Sequence, residues 1–171
     1  MSDNDQQAQF ERLVMPHLDA AYNLARWLAG NDHDAEDIAQ EACVRAFRFV
    51  GGCRGSDGRS WLLAIVRNTA YSWLKKNRSQ RLVFIDDDEC PEIEDQSSAA
   101  SSFHSADKDA LRAVLETLPP EFREVLVLRE LEGCSYKEIA EVADVPVGTV
   151  MSRLARARRQ LENAVERKGN V

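Results

Sequence analysis

The sequence predicts an all-α protein made of two small helical domains that are joined by an acidic, flexible linker. Three observations carry this prediction. Apolar residues recur at spacings of three and four along several stretches, which is the period of an amphipathic helix. The segment from Ile85 to Asp107 is acidic, rich in Ser and Ala, and too poor in large apolar residues to form a core. Near the C-terminus, two helical patterns meet across a tight turn.

The first predicted domain spans residues 1–81 and contains three helical patterns. The first has an apolar face from Phe10 to Leu28 that only Pro16 interrupts. The second is predicted to begin at Asp34, whose side chain can cap it, and acidic residues crowd its first turn, where the helix dipole favours them. We expect this second helix to pack through Ile38, Ala42, Val44, Ala46, Phe47 and Val50.

A third helix is predicted after the glycine-rich loop at residues 51–60, and it interleaves aromatic with basic side chains. Its stripe of Trp61, Leu62, Ile65 and Val66 is expected to lie in the core. Cations that follow the backbone, next to rings on which unpaired bases stack, are suited to single-stranded DNA. The candidates for such a surface are Arg59, Asn68, Tyr71, Ser72, Lys75 and Arg78.

The predicted linker covers residues 82–106 and holds most of the excess negative charge. Net charge is +1 over residues 1–81, −8 over residues 82–110 and 0 over residues 111–171, within a total of −7. The acidic total therefore does not exclude DNA binding, because each flanking domain can still present a basic face. The linker is either a spacer or an acidic stretch that competes with DNA or polymerase for basic surface.

The second predicted domain spans residues 107–171 and contains a helix-turn-helix pattern. Ser135 is a plausible N-cap, and Glu138 completes a capping box with it. This short helix should end at Asp144, a residue type that tolerates left-handed backbone conformation better than most.

A longer helix is predicted to follow the turn. Pro146 lacks the amide hydrogen of a continuing helix, Gly148 permits unusual backbone angles, and Thr149 is expected to cap the new helix. Its apolar stripe consists of Val150, Leu154, Ala157, Leu161 and Val165, whereas its outer face carries Thr149, Ser152, Arg153 and Arg156, with Arg158 and Arg159 extending the charge. Such a face suits the major groove of DNA; the alternative is a solvated helix whose arginines pair with nearby glutamates.

Several classes of protein are disfavoured. No apolar run approaches the roughly 18–20 residues of a membrane span, and the N-terminus is not signal-like, so we expect a cytoplasmic protein without membrane insertion. The four cysteines and three histidines lack metal-ligand spacing. We predict no metal and no cofactor. Phosphate-binding glycine loops and nucleophile motifs are absent from the sequence, so we expect no catalytic residue and no enzyme.

The order of these motifs resembles the extracytoplasmic function (ECF) group of bacterial RNA polymerase sigma factors, in the sigma-70 family. DAEDIAQEACVRAF is similar to region 2.2, WLLAIVRNTAYSWLKKNR to regions 2.3 and 2.4, and the segment from Leu118 to Leu161 to region 4. The resemblance implies a factor that binds the clamp coiled coil and flap of core RNA polymerase, directs it to certain promoters and helps to open promoter DNA. It also implies an anti-sigma factor as a partner. We expect the chain to be a monomer when free.

The resemblance further implies roles for individual residues. Core polymerase would be bound by Asp34, Asp37, Gln40, Glu41 and Arg45. The minus-ten element, with a flipped base in the loop from Arg54 to Arg59, would be bound by Arg54, Ser56, Arg59, Asn68, Tyr71, Lys75 and Arg78. The minus-35 element would be read by Ser152 and Arg156, with Thr149, Arg153 and Arg158 on phosphates.

Two points stay open at the level of sequence. Met151 and Ala155 occupy outward positions where relatives often carry basic or larger side chains, which leaves the promoter sequence undefined. The helix-turn-helix segment also resembles the output domain of ordinary transcriptional regulators. Such a regulator would carry alternating strands and helices in its first domain, whereas residues 1–81 predict helices alone.

Overall fold

A computed structural model describes residues 2–53, 57–84 and 105–169, with side chains described for 2–53, 57–77 and 109–167. Within these ranges every regular element is helical, as predicted. The N-terminal domain consists of α1 (Asp3–Leu13), α2 (Leu18–Ala29), α3 (Asp32–Phe49) and α4 (Gly58–Phe84). The C-terminal domain consists of α5 (Ser105–Glu116), α6 (Pro120–Leu126), α7 (Tyr136–Ala143) and α8 (Val147–Gly169), and a π-helical stretch at Val127–Leu131 continues α6.

Capping residues mark the end of α2 and the start of α3. A 3₁₀ turn at Met15–His17 separates α1 from α2, and α2 ends at Gly30, whose φ of 87° favours glycine. The predicted cap of α3 is wrong. Asn31 has an extended backbone and accepts the backbone N–H of Asp34 at 2.8 Å, so the helix begins at Asp32 and Asp34 lies in its first turn.

Helices α2, α3 and α4 pack around a core that includes Leu24, Ile38 and Leu62, none of which is exposed. The start of α4 lies against the end of α1 so closely that a Cβ on Gly58 would stand 2.0 Å from the carbonyl oxygen of Leu13. Only glycine fits there. Two residues of α3 that were expected in the core are exposed instead: Val44 by 59% and Phe47 by 41%. Phe47 packs edge-on against the ring of Phe10 in α1, with the ring centres 5.4 Å apart, and stays partly exposed.

The helix-turn-helix is confirmed in most details. Ser135 and Glu138 form both hydrogen bonds of the capping box, and Asp144 ends α7 in the left-handed conformation at φ 55°. The next helix starts earlier than predicted, because the backbone N–H of Thr149 already bonds to the carbonyl of Pro146. Thr149 therefore lies in the first turn of α8, and Gly148 lies in the helix without a positive φ.

The C-terminal core is formed by α6, α7 and α8. Val150, Leu154 and Ala157 of α8 are buried against it, as the predicted stripe requires. Leu161 is half-buried, and Val165 is 52% exposed, because this end of α8 extends past the core.

The two domains are packed together rather than only tethered. Helix α4 lies on α7, α2 lies on α6, and buried residues of both domains belong to one continuous cluster. Arg123 of α6 crosses this boundary and donates from Nη1 to the carbonyl of Trp27 at 2.8 Å. Helix α4 continues to Phe84, and α5 begins at Ser105, so both ends of the predicted linker are helical; the remainder of that segment lies outside the described residues.

Candidate nucleic-acid interface

The outer side of α8 presents a polar and basic surface, here called the recognition face, which consists of Thr149, Ser152, Arg153 and Arg156. Ser152 and Arg156 are exposed, whereas Thr149 and Arg153 are half-buried at the edge of the apolar stripe. The hydroxyl of Ser152 donates to the carbonyl of Gly148 at 3.0 Å. Among the described side chains, Arg153 is one of few with a buried nitrogen, Nη1, that lacks a hydrogen-bond partner. The two arginines thus differ in how freely they reach outward.

Arg158 does not join this face. It follows Arg156 by two residues, which corresponds to a rotation of about 200° around the helix. Its Nη2 pairs with Oε1 of Glu130 at 3.0 Å, and both side chains are about half exposed. Its predicted contact with a phosphate stays a prediction, and that contact requires this ion pair to open.

A second basic surface lies along α4. It consists of Arg67, Asn68, Tyr71 and Lys75, which lie within about 100° of one another around the helix, and is here called the α4 face. Arg59 precedes Asn68 by nine residues and lies on the opposite side of α4. Asn68 and Lys75 are exposed. The guanidinium of Arg67 lies 4.4 Å from the centre of the Tyr71 ring and donates from Nη1 to Oδ1 of Asn68 at 3.3 Å. The structure therefore brings two of the predicted minus-ten residues, Asn68 and Tyr71, together with an arginine that the prediction omitted.

The other predicted minus-ten residues are not placed. Arg54 and Ser56 lie outside the described residues, and so does the side chain of Arg78. Asp57 marks the end of this loop. Its carboxylate accepts two hydrogen bonds from Ser60, one from the backbone N–H at 3.3 Å and one from the side-chain hydroxyl at 2.8 Å. This aspartate caps the start of α4.

Arg59 is engaged by the C-terminal domain. Its Nη2 pairs with Oε2 of Glu138 at 2.7 Å, and its Nη1 donates to the carbonyl of Glu132 at 3.1 Å. The hydrogen bond from Arg59 lowers the pKa of Glu138 below its ordinary value, although partial burial opposes this. The other oxygen of Glu138 accepts the backbone N–H of Ser135 at 3.2 Å. One carboxylate thus serves both the capping box and the domain boundary.

Glu124 makes the second ionic contact between the domains, and it has no exposed surface. Its Oε1 accepts from Nε of Arg67 at 2.6 Å, and its Oε2 accepts from the hydroxyl of Tyr71 at 2.5 Å. Burial and the neighbouring Glu124 raise the pKa of Tyr71 well above its usual range. A buried carboxylate is tolerated because both oxygens are satisfied, and removal of one partner of such a pair typically costs about 3–5 kcal/mol.

Sequence reasoning missed Glu124 and the interdomain role of Glu138. A signal for the first was available. Glu124 precedes Val127 and Leu128 by three and four residues, so it lies on the apolar stripe of its helix. An acidic residue in a buried stripe requires a cationic or hydroxyl partner. The identity of that partner could not be read from the sequence.

The residues predicted to bind polymerase lie along one side of α3, here called the α3 face: Asp34, Asp37, Gln40, Glu41 and Arg45. Asp37, Gln40 and Glu41 are exposed. Glu41 pairs with Nη2 of Arg45 at 2.6 Å, and Asp34 accepts from the side chain of Asn31 at 2.8 Å. The exposed side chains of Val44 and Phe47 border this face.

Other kinds of site find little support. In the part of the chain that the structure describes, no group of three or more His, Cys, Asp and Glu side chains is arranged to hold a metal ion. Three thiols of this part, those of Cys43, Cys53 and Cys134, are free, and burial raises the pKa of Cys134 to about 11. None of the described helices combines the length and apolar character of a membrane span.

Comparisons with known proteins agree with both domains. Residues 13–80 match the family model for sigma-70 region 2, and residues 108–161 match the model for sigma-70 region 4. The chain is 36% identical over 155 residues to the ECF RNA polymerase sigma factor SigE of Mycolicibacterium smegmatis, which covers 90% of the chain but 60% of the length of that relative. It is 34% identical over 167 residues to the RNA polymerase sigma-H factor of Pseudomonas aeruginosa, covering 92% of the chain and 86% of the relative.

A solved structure shares this arrangement of helices. It is the sigma factor RpoE of Bartonella quintana, determined in complex with the anti-sigma factor NepR. The TM-score is 0.75 at 26% identity, with 92% of this chain and 96% of the other covered. The two helical domains, their order along the chain and the extent of these matches lead to one conclusion: this chain belongs to the ECF group of the sigma-70 family.

Proposed function

We propose that this chain binds core RNA polymerase and directs it to a subset of promoters, where it reads the minus-35 element and helps to melt the minus-ten element. The observation that carries this proposal is the recognition face of α8, which presents the exposed side chains of Ser152 and Arg156 and lies in a capped helix-turn-helix. The relatives in Mycolicibacterium smegmatis and Pseudomonas aeruginosa are both named as RNA polymerase sigma factors. A helix-turn-helix alone would also suit a regulator, but a sigma-70 region 2 precedes it here.

Polymerase docking is assigned to the α3 face. Asp37, Gln40 and Glu41 extend into solvent there, and the bordering Val44 and Phe47 add exposed apolar area. A surface that combines acidic groups with apolar side chains suits a protein partner whose surface is basic and partly apolar. Opposite charges steer the encounter, and burial of apolar side chains stabilises the complex. The ring of Phe47 also packs edge-on against Phe10 of α1, at 5.4 Å between the ring centres, so only part of it is open to a partner.

The α4 face is assigned to the opened minus-ten strand. Cations next to an aromatic ring can track phosphates and stack an unpaired base, with about 1–3 kcal/mol per stacked base. Asn68 and Lys75 are exposed on this face, whereas Arg59 and Tyr71 contact the C-terminal domain. The loop that contains Arg54 and Ser56 is proposed to receive a flipped base.

The remaining assignments follow the same proposal. On the recognition face, Ser152 and Arg156 read bases of the minus-35 element, while Thr149, Arg153 and Arg158 contact phosphates. An anti-sigma factor is proposed as a regulator, as in the complex of the Bartonella relative. The protein would act in the cytoplasm, where RNA polymerase works, as a binding factor that uses no catalytic residue or cofactor of its own.

The decisive experiment is transcription in vitro with purified core polymerase on a library of promoters. We expect transcripts from a defined subset that shares a minus-35 and a minus-ten motif, and none from core polymerase alone. Absence of transcripts on every template, with polymerase that is active with another sigma factor, would contradict the proposal.

The assignment of the α3 face is tested by charge reversal. Asp37→Lys combined with Glu41→Lys should abolish retention of the chain by immobilised core polymerase. The fold should persist, because the exposed pair of Glu41 with Arg45 contributes only about 0–1 kcal/mol. The matched control reverses two exposed acids of other helices, Glu11→Lys with Asp19→Lys, and should leave retention intact. Equal retention of both double variants would remove the α3 face from the interface.

A further inference from the structure

We propose that the free chain rests in a closed form in which the carboxylates of Glu124 and Glu138 hold the side chains of α4 that single-stranded promoter DNA would contact. The C-terminal domain and the opened strand would then compete for the same side chains of α4. This inference rests on the proposed function, because it takes from it the role of α4 in holding that strand.

The first contact in question is that of Arg59. Its guanidinium is held by the carboxylate of Glu138 at 2.7 Å and by the carbonyl of Glu132 at 3.1 Å. A phosphate group would use the same donors, since phosphates and carboxylates both accept parallel hydrogen bonds from arginine. Arg59 therefore cannot bind the DNA backbone while α7 remains against α4.

The second contact is that of Glu124 with Arg67 and Tyr71. Glu124 is fully enclosed, and its two oxygens take the Nε of Arg67 and the hydroxyl of Tyr71. Arg67 also covers one face of the Tyr71 ring at 4.4 Å. A base could stack on that face, or a phosphate reach Arg67, only after α6 has moved away.

The other proposed interfaces are not covered in the same way. Asp37, Gln40 and Glu41 on the α3 face are exposed, and so are Ser152 and Arg156 on the recognition face. The closed form can thus dock on polymerase and on duplex DNA, but it cannot hold an opened strand. Strand capture exchanges carboxylates for phosphates at the same arginines, so the number of ion pairs is preserved when the domains separate.

The experiment weakens the contacts without removing side-chain volume. Glu138→Gln and Glu124→Gln are prepared in the full chain, with Glu141→Gln and Glu121→Gln as controls that remove the same charge from exposed sites on α7 and α6. Glutamine at position 138 retains the capping box, because it can still accept the N–H of Ser135. The fold of each variant is checked by circular dichroism.

Two quantities are measured on each variant: amide hydrogen exchange in α4 and α7, and affinity for fluorescein-labelled single-stranded DNA of random sequence. Both interface variants should exchange faster along these helices. If the closed form accounts for about nine tenths of the wild-type protein, its removal tightens strand binding about tenfold. The control variants should resemble the wild type in both measurements, and affinity for duplex DNA of the same pool should not change.

The outcomes separate this inference from the function on which it rests. Unchanged exchange and unchanged strand affinity in a folded Glu138→Gln variant would overturn the closed form. Faster exchange without strand binding by any variant would overturn the role of α4, and the inference with it, while the α3 charge reversal would still report on polymerase docking. If Glu124→Gln does not fold, Glu138→Gln decides alone, since this carboxylate is 27% exposed and its replacement leaves no buried group unpaired on α7.

Discussion

Replacement of Arg156 by alanine should weaken promoter binding at one base pair of the minus-35 element. Arg156 is exposed on the outer side of α8, so its removal should change folding stability by less than about 0.5 kcal/mol. An arginine that makes a bidentate contact with a base discriminates by about 1–3 kcal/mol, which corresponds to roughly 5- to 150-fold in affinity. The loss should therefore fall almost entirely on DNA binding.

The assay is fluorescence anisotropy of the complex of this chain with core polymerase on a set of promoters, each with one changed minus-35 base pair. With Arg156→Ala, affinity should drop on the best sequence and become insensitive to one position only. Arg158→Ala is the matched comparison, because Arg158 is engaged with Glu130 and lies on another side of the helix. An equal loss on every sequence for Arg156→Ala would identify a phosphate contact and refute its role in base readout.

Three further changes have outcomes that the structure defines. Gly58→Ala places a Cβ 2.0 Å from the carbonyl oxygen of Leu13 and should lower the free energy of unfolding by about 1–3 kcal/mol in urea denaturation, whereas Gly52→Ala, with open space around it, should not. Asp144→Val should cost about 1–2 kcal/mol in the same measurement, because φ is 55° there, and Asp144→Gly should be tolerated. Since the pKa of Glu138 is lowered in the folded chain, its ionic contact is complete above its ordinary value of 4.5 and is lost as pH falls through the lowered pKa. The protection of amides in α4 and α7, measured relative to their intrinsic exchange rate at each pH, should therefore fall only below about pH 4.5.

Local structure could be predicted where neighbouring residues determine it. The capping box at Ser135 and the left-handed residue at Asp144 each depend on a few adjacent positions, and both predictions are confirmed. The predicted start of α3 was wrong because two residues, Asn31 and Asp34, could both cap the helix. Asn31 comes first in the sequence and is the residue that caps it. A local sequence pattern shows which residues can cap a helix. Where several such residues lie close together, the backbone conformation determines which of them does so.

Contacts between the domains could not be predicted, because they join positions far apart in the chain. Arg59 and Glu138 are separated by 79 residues, and Arg67 and Glu124 by 57. Charge alone suggested that Arg59 faces solvent and DNA, since nothing nearby in sequence pairs with it. The exposure of Val44 could not be predicted for the same reason. Whether an apolar residue of a helix is buried depends on the packing of the whole domain, which the local sequence does not show.

Glu138 is subject to two independent demands that restrict what can replace it. One oxygen holds the N–H that starts α7, and the other holds the arginine of a different domain. Aspartate is too short to span both positions, glutamine serves the cap without the charge, and lysine serves neither. A substitution such as Glu138→Gln would therefore weaken the contact between the domains while the helix-turn-helix is kept. The balance between closed and open forms can thus be changed by a single substitution at this position.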